Sequence, residues 1–368
     1  MLTFRKLILL VTVFFFFPNT TQLLAENQKN IVLFSPGVKE NQFWTEMIDF
    51  AQSVSNKLSM NLIIYYGNDN PDLMVSNIER AATNSTKPDG FIFPSMTSQG
   101  KRFIEIAEKH KIPSIIINMG IDGISPESST RDLNAFLIGQ ITPDDENAGY
   151  ELAKTLITQA QMNHNSKSPI NLIAFSGRKS DIASIERIKG LQKALKEFPE
   201  VKLLSLSNTD WTTQATIKAA SDYSGKETIS IVWAASDLMA ITLSNYYSTK
   251  GLKQGKDIFI GGIDWTKQGL IAVKNNELTT TVGGHFAEAG WALILFYDYF
   301  NGKDFNSEST QFHSIMKPLT SQNVQLFLQN NESNRWSDVN FKTFSKVLNP
   351  NLKSYKFDLV VLLRMAKS

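Results

Sequence analysis

The feature that most constrains this chain is an alternation that occurs twice. Short apolar runs take turns with amphipathic segments. The first set of runs is Ile31–Phe34, Leu62–Tyr66, Phe91–Phe93, Ile115–Ile117 and Phe136–Ile138. The second set is Leu172–Phe175, Leu203–Leu206, Ile229–Trp233, Ile258–Ile263 and Thr279–Val282. Runs without a polar break are the mark of strands buried on both faces. Between the first two, Phe43, Met47, Phe50, Val54 and Leu58 recur every three or four residues, as one buried helix stripe does. A strand-to-strand spacing of roughly 20–30 residues fits βαβ units and right-handed parallel sheets. Two copies of the pattern in 368 residues predict an α/β chain of two doubly wound parallel-sheet lobes.

Local signals refine this plan. Gly139, Gly262 and Gly283-Gly284 fall at the edges of strands able to carry the chain between lobes; the alternative is ordinary turn glycines. Thr142-Pro143-Asp144-Asp145 predicts a helix start, with a cap, Pro in first position and acids in the first turn. The paired carboxylates therefore read as partners of the helix dipole and not as an acid/base dyad. Residues 286–300 predict a helix carrying Trp291, Leu295 and Tyr299, and Thr320–Gln329 one more. Beyond it, Trp336, Phe341, Phe344, Tyr355, Phe357 and Val360–Leu363 give the tail enough apolar content to pack on the body.

The first 25 residues are a separate object. Arg5 and Lys6 precede the apolar run Leu7–Phe17, interrupted in polarity only by Thr12; Pro18–Thr21 break it and Ala25 offers a small residue for cleavage. This is the form of a secretory signal peptide, too short for a comfortable membrane span, with an uncleaved anchor as the alternative. Without Arg5 and Lys6 the remainder is balanced, 35 basic residues against 35 acidic. No basic block suggests a nucleic-acid surface. The chain has no cysteine, which excludes both a lipid-anchored signal and disulfides. Together these features fit a soluble protein of a bacterial periplasm.

The stretch Ile258–Trp265 carries the first functional hint. A buried strand runs into Gly261-Gly262 and ends at Asp264-Trp265. In open α/β sheets ligands bind beyond the carboxyl ends of the strands. A carboxylate beside a flat apolar ring there suits a small polyhydroxylated molecule, the acid taking hydroxyl hydrogen bonds and the ring covering a C–H face. A helix cap with a packed Trp is the competing reading.

Five short segments, in order, resemble the type I periplasmic binding proteins of the ribose/galactose-binding superfamily. They are Asn41-Gln42-Phe43-Trp44, Asp89-Gly90-Phe91-Ile92-Phe93, Ile185-Glu186-Arg187-Ile188-Lys189-Gly190, Ala235-Ser236-Asp237-Leu238-Met239-Ala240 and Gly261-Gly262-Ile263-Asp264. The wording around Trp233, Trp265, His285 and Trp291 is similar to a sugar-binding-like subgroup attached to transport systems. The resemblance covers about Asn30–Gln329. It implies two lobes joined by three hinge strands, closing over a ligand by hinge bending. Residues 26–139 with 285–310 would form the first lobe, 140–284 with 311–329 the second, and 330–368 a packed extension.

The residues implied to line the cleft are Asn41, Phe43, Trp44, Asn118, Arg187, Trp211, Ser236, Asp237, Asp264, Trp265 and His285. Phe43, Trp44, Trp211 and Trp265 would sandwich a ring, and Arg187 and Asp264 would engage vicinal hydroxyls. Bland readings stand beside these. Phe43 lies on the buried stripe of its helix and Trp44 off it. Arg187 has Glu186 and Asp181 as solvated partners, Asp237 opens a helix, and Trp211 would also serve as a surface anchor. The chain departs from the ribose and galactose pattern at Asn118-Met119, where an Asp is usual, at Ser236 in place of Asn, and at Gly284 or His285 in place of Gln.

The sequence lacks a G-x-S-x-G elbow, a Walker A loop, a dinucleotide fingerprint and an H-E-x-x-H pair, and its four histidines, His110, His164, His285 and His313, have no metal spacing. The expectation is a binding protein and not an enzyme, without cofactor or metal. It would be a monomer that captures a sugar-like ligand and delivers it to the membrane permease of an ABC transporter. The alternative is a sensor docking on a membrane-bound kinase, cyclase or chemoreceptor. A hydrolase on the same fold is a third reading.

Overall fold

The computed structural model describes residues 28–361 apart from 97–98, 122–123, 126, 164–168, 226, 329–335 and 337–338. The expected signal peptide, His164 and the last residues of the tail lie outside the described residues.

The first half of the chain runs β1 (Asn30–Ser35), α1 (Gln42–Lys57), β2 (Asn61–Tyr66), α2 (Pro71–Ala82), β3 (Gly90–Phe93), α3 (Gly100–Lys109), β4 (Ser114–Ile117), α4 (Thr130–Leu133) and β5 (Leu137–Pro143). The second half repeats the alternation with α5 (Asp145–Asn163), β6 (Ile170–Ser176), α6 (Ile182–Glu197), β7 (Val201–Asn208), α7 (Thr213–Asp222), β8 (Ile231–Ala234), α8 (Asp237–Thr249), β9 (Phe259–Asp264), α9 (Lys267–Lys274) and β10 (Thr280–Gly283). A short 3-10 turn, His285–Ala287, leads into α10 (Glu288–Phe300), followed by β11 (Gln311–Ser314), β12 (Lys317–Thr320) and α11 (Gln325–Leu328).

These strands form two six-stranded sheets, ordered β11-β5-β4-β3-β1-β2 and β12-β10-β9-β8-β6-β7. All pairs are parallel except β10 with β12. The α/β architecture of two doubly wound lobes is as the alternation predicts. The central strands are apolar throughout because helices cover both faces: β3, β4 and β8 are buried at every position. Side chains fix the helix starts. Asn41 accepts from the Trp44 N–H at 3.2 Å, Asn70 caps α2 with Pro71 in its first turn, and Thr212, Ser236 and Thr266 cap α7, α8 and α9. Among the described residues, no helix is long and apolar enough to cross a membrane.

The chain passes between the sheets three times, from β5 to α5, from β10 to α10 and from β11 to β12. Of the glycines expected at hinges, Gly283-Gly284 stand at the second crossing, where Gly284 takes a φ of 127°. Gly139 and Gly262 do not. Gly139 lies inside β5 facing Phe305, and Gly262 inside β9 facing Asp237 and Ala240, where a side chain has no room. The expected division also shifts. β5 continues in the first sheet to Pro143, and β11 pairs with it, so 311–314 belong with the first lobe. The helix start moves with the strand. Asp144, and not Thr142, accepts from the Asn147 N–H at 3.2 Å, and Pro143 closes the strand. Lys317–Thr320 adds an antiparallel strand ahead of the predicted last helix, which is confined to one turn.

The segment containing Trp336 and Phe341–Phe357 returns to the first lobe. Trp336 and Phe341 pack edge-on against Phe50 of α1, and Phe344 and Phe357 pack on Trp291 of α10. Buried Asp298 of α10 fastens this tail, accepting from Lys346 N, Val347 N, Tyr355 OH and Ser345 Oγ.

Candidate functional site

The carboxyl ends of both sheets converge on one group of side chains. Arg187, on α6, is 4% exposed, although a mid-helix arginine ordinarily reaches solvent. Its Nε donates to Asp145 Oδ1 at 2.6 Å and its Nη1 to the Ala235 carbonyl at 2.6 Å. Its Nη2 lies 3.4 Å from His285 Nε2, and Asp264 Oδ1 is 3.6 Å from Nη1. Burial opposes the guanidinium charge, and Asp145 and Asp264 more than restore it.

His285 stands at the second crossing, buried and without a partner for Nδ1. Burial and then Arg187 push its pKa well below the usual range, so the ring is neutral. A guanidinium only donates, so Nε2 faces Arg187 as the acceptor and the proton resides on Nδ1. The imidazole also meets Phe43 of α1, with centroids 4.7 Å apart and planes at 31°. On the opposite side, the Arg187 guanidinium lies 6.0 Å from the Trp211 ring centroid. Trp211 is itself held by its Nε1 donating to Asp181 Oδ2 at 2.6 Å. Trp211, Arg187, His285 and Phe43 thus form one succession of flat groups from the second lobe to the first, with Asp264 at its middle.

Backbone conformation marks the same place. Asn118, Trp211, Asp264 and Trp265 all have positive φ, at 60°, 70°, 141° and 57°. For residues with a β-carbon this costs free energy that the surrounding structure must supply, and such residues concentrate at ligand sites. Burial raises the pKa of Asp264 well above the ordinary carboxylate value, with Arg187 opposing. Asp264 makes no contact shorter than 3.6 Å with Arg187 or His285, which leaves it as an acceptor for an incoming donor.

The structure sorts the other expected residues. The stripe Met47, Phe50, Val54 and Leu58 is buried as expected, but at the start of the helix Trp44 is the buried ring, 8% exposed and packed beside Gly37, while half-buried Phe43 reaches His285. Trp265 is 1% exposed, packs on Phe327 at 4.6 Å and Gly283, and donates Nε1 to the Thr281 carbonyl. It is a packing residue and not a ligand plate. Asp237 accepts from Thr266 N, Thr266 Oγ1 and Thr281 Oγ1 at 2.9, 2.9 and 2.6 Å, so its carboxylate ties the turn after β9 to β10. Ser236 and Asn41 are committed to capping their helices.

Two residues enter that sequence reading passed over. Asp145 was read as a helix-dipole acid but is buried against Arg187. Glu288 is fully buried at the start of α10. It accepts from Asn118 N at 2.7 Å and from Ser314 Oγ, joining the end of β4 to the second and third crossings. Burial holds its pKa well above the usual range. The available signal was an isolated acid within the apolar segment 286–296. Among the described residues, no three His, Asp or Glu side chains are grouped to hold a metal ion.

Comparison with known proteins gives this geometry a family. A model of the periplasmic binding protein domain matches residues 31–304. The chain belongs to that family. A periplasmic sugar-binding protein from Pseudomonas fluorescens is similar to this periplasmic binding protein over 91% of its length and 100% of the other chain, with a TM-score of 0.79 and 26% identity. The galactofuranose-binding protein YtfQ of Escherichia coli is 26% identical over 199 residues, which is 52% of this chain and 58% of that protein. An ABC transporter periplasmic solute-binding protein from Actinobacillus succinogenes, solved with bound D-allose, shares the fold: TM-score 0.69 at 19% identity, over 81% of this chain and 99% of that one.

Proposed function

We propose that this periplasmic binding protein captures a sugar-like small molecule between its lobes and presents it to an ABC-type transporter. The observation that carries the reading is the bridge of flat groups at the strand ends. Phe43 and His285 on one side, and Arg187 and Trp211 on the other, flank Asp264, whose carboxyl group stays 3.6 Å from both Arg187 and His285. A few convergent polar groups among apolar ones are how small-ligand sites are built. Aromatic faces match the C–H faces of a sugar ring, and Arg187 with Asp264 matches vicinal hydroxyls. The names of the relatives support the same class. Phe43, Asn118, Arg187, Trp211, Asp264 and His285 are the ligand-contacting residues of this reading. The protein performs no reaction on its ligand, acts as a monomer in the periplasm after loss of residues 1–25, and hands the ligand to a membrane permease.

Calorimetric titration of the protein, from residue 26 onward, against a sugar panel tests this. Saturable binding of at least one sugar that is lost in Asp264→Ala is the expected result. A folded protein that binds no carbohydrate overturns the reading.

A further inference from the structure

The helix pair α5 and α6 carries two glycines in helix interiors, where each costs about 1 kcal/mol relative to alanine. Both have a reason in the structure. A β-carbon on Gly149 would collide with the Arg187 carbonyl, and one on Gly190 with the Glu146 carbonyl and the Tyr150 N–H. The contacts are reciprocal: each helix presents a glycine to the backbone of the other, and the axes approach as closely as backbones allow. Asp145 lies four residues before Gly149, and Arg187 three before Gly190. The glycine crossing is therefore what puts the Asp145 carboxylate within 2.6 Å of Arg187 Nε.

The donor count of Arg187 then has a consequence. Of five N–H groups, Nε–H is taken by Asp145, one on Nη1 by the Ala235 carbonyl and one on Nη2 by His285. One N–H remains on each terminal nitrogen. Two fixed points on a planar group remove its freedom to rotate, so the direction of the remaining pair is set by Asp145 and Ala235. We propose that Asp145, together with the Gly149–Gly190 crossing, is the positioning element of the site: it sets which edge of the Arg187 guanidinium faces the ligand. This rests on the sugar-binding reading for its ligand, and on geometry alone for the fixing of Arg187.

The test has a ligand-free arm and a ligand arm. In the ligand-free protein, the Arg187 Nε–H proton is followed by ¹⁵N-resolved hydrogen exchange. It is protected in the native chain and loses at least tenfold of that protection in Asp145→Asn and in Gly149→Ala, the second variant keeping the carboxylate but parting the helices. In the ligand arm, the tightest-binding member of a panel of D-galactose, D-allose, L-arabinose and myo-inositol is titrated into each variant. Asp145→Asn lowers affinity at least tenfold in the native background and less than twofold in Arg187→Ala, because Asp145 acts through Arg187. Asp298→Asn, which removes another buried carboxylate, lowers the melting temperature and leaves affinity within twofold. Unchanged protection of Nε–H in Asp145→Asn overturns the proposal, as does an undiminished effect in the Arg187→Ala background. If the native protein binds no member of the panel, the sugar-binding reading fails and the exchange arm alone decides the positioning role.

Discussion

The two sheets have corresponding strand orders, and what is built on them differs. In the first, the last strand, β11, joins β5 in parallel; in the second, the last strand, β12, joins β10 antiparallel. The second lobe gathers most of the charge near its strand ends: buried Asp145, Arg187 and Asp237, and half-buried Asp264. The first lobe contributes Phe43, Asn118 and the buried acid Glu288 there, and carries its dense aromatic packing on α1 and α10 under the returning tail. One fold is thus divided into a lobe specialised in polar recognition and a lobe stabilised by rings. The comparison predicts that damage to the charged cluster of the second lobe is read in binding, and damage to the ring packing under the tail of the first in stability alone.

The largest effect is expected from Arg187→Ala. It leaves Asp145 without its buried partner, a loss of about 3–5 kcal/mol for a broken buried pair, and weakens ligand binding while leaving it measurable. Urea unfolding combined with calorimetry measures both. Trp291→Ala is its counterpart in the first lobe. Removing a fully buried indole held by Phe50, Phe344 and Phe357 costs about 3–5 kcal/mol, with affinity retained wherever the variant is folded. Equal loss of affinity in the two variants would break the division. Tyr355→Phe sharpens it: deleting the hydroxyl that donates to Asp298 at 2.7 Å costs about 1–2 kcal/mol without changing ligand affinity.

The smallest effect is a slope with pH. Burial raises Asp237 to about 6, so the folded chain holds a proton there that the unfolded chain releases near pH 4. A group with a raised folded pKa gives its full stabilisation below the unfolded value and loses it as pH rises through the folded one. Its contribution therefore declines between about pH 4 and pH 6. Asp264 and Glu288, also raised by burial, act in the same direction. His285 acts in the opposite one, since its lowered pKa costs stability as pH falls below about 6.5. Unfolding free energies from urea titrations should be higher at pH 5 than at pH 7.5. Asp237→Asn should flatten that gradient, and a gradient of opposite sign would show that the acids are not protonated in the fold.

How much was legible follows from which interactions are local. Strands buried on both faces announce themselves by composition, so Phe91–Phe93 and Ile115–Ile117 were readable from adjacent residues alone. Capping is local too, and the helix opening at Asp237 needed only its neighbours, whereas Asn41 and Ser236 were expected in the cleft and serve as caps. The candidate site was readable as a set of positions but not as a geometry. Trp44 and Phe43 are neighbours on one helix, and which of them meets His285 is set by a residue 242 positions beyond Phe43 in sequence. Trp265 follows a strand end as a ligand plate would, yet Phe327, far along the chain, claims its ring. Asp145 satisfies every local rule for a helix start. Its second role became visible only when the Gly149 and Gly190 contact placed α6 against it. Lys317–Thr320 was not legible as a strand, because its pairing with β10, and not its composition, makes it one.

The tail gives the chain a peculiar order of assembly. Phe50 and Trp291 need Trp336, Phe341, Phe344 and Phe357 before they are sealed from water. A lobe whose first strand starts at Asn30 therefore stays unfinished until Phe357 has been made. The other lobe, from Asp145 to Gly283, is contiguous and has most of its partners in hand much sooner. Contacts of such long sequence separation form slowly, so of the two halves the one begun first closes last.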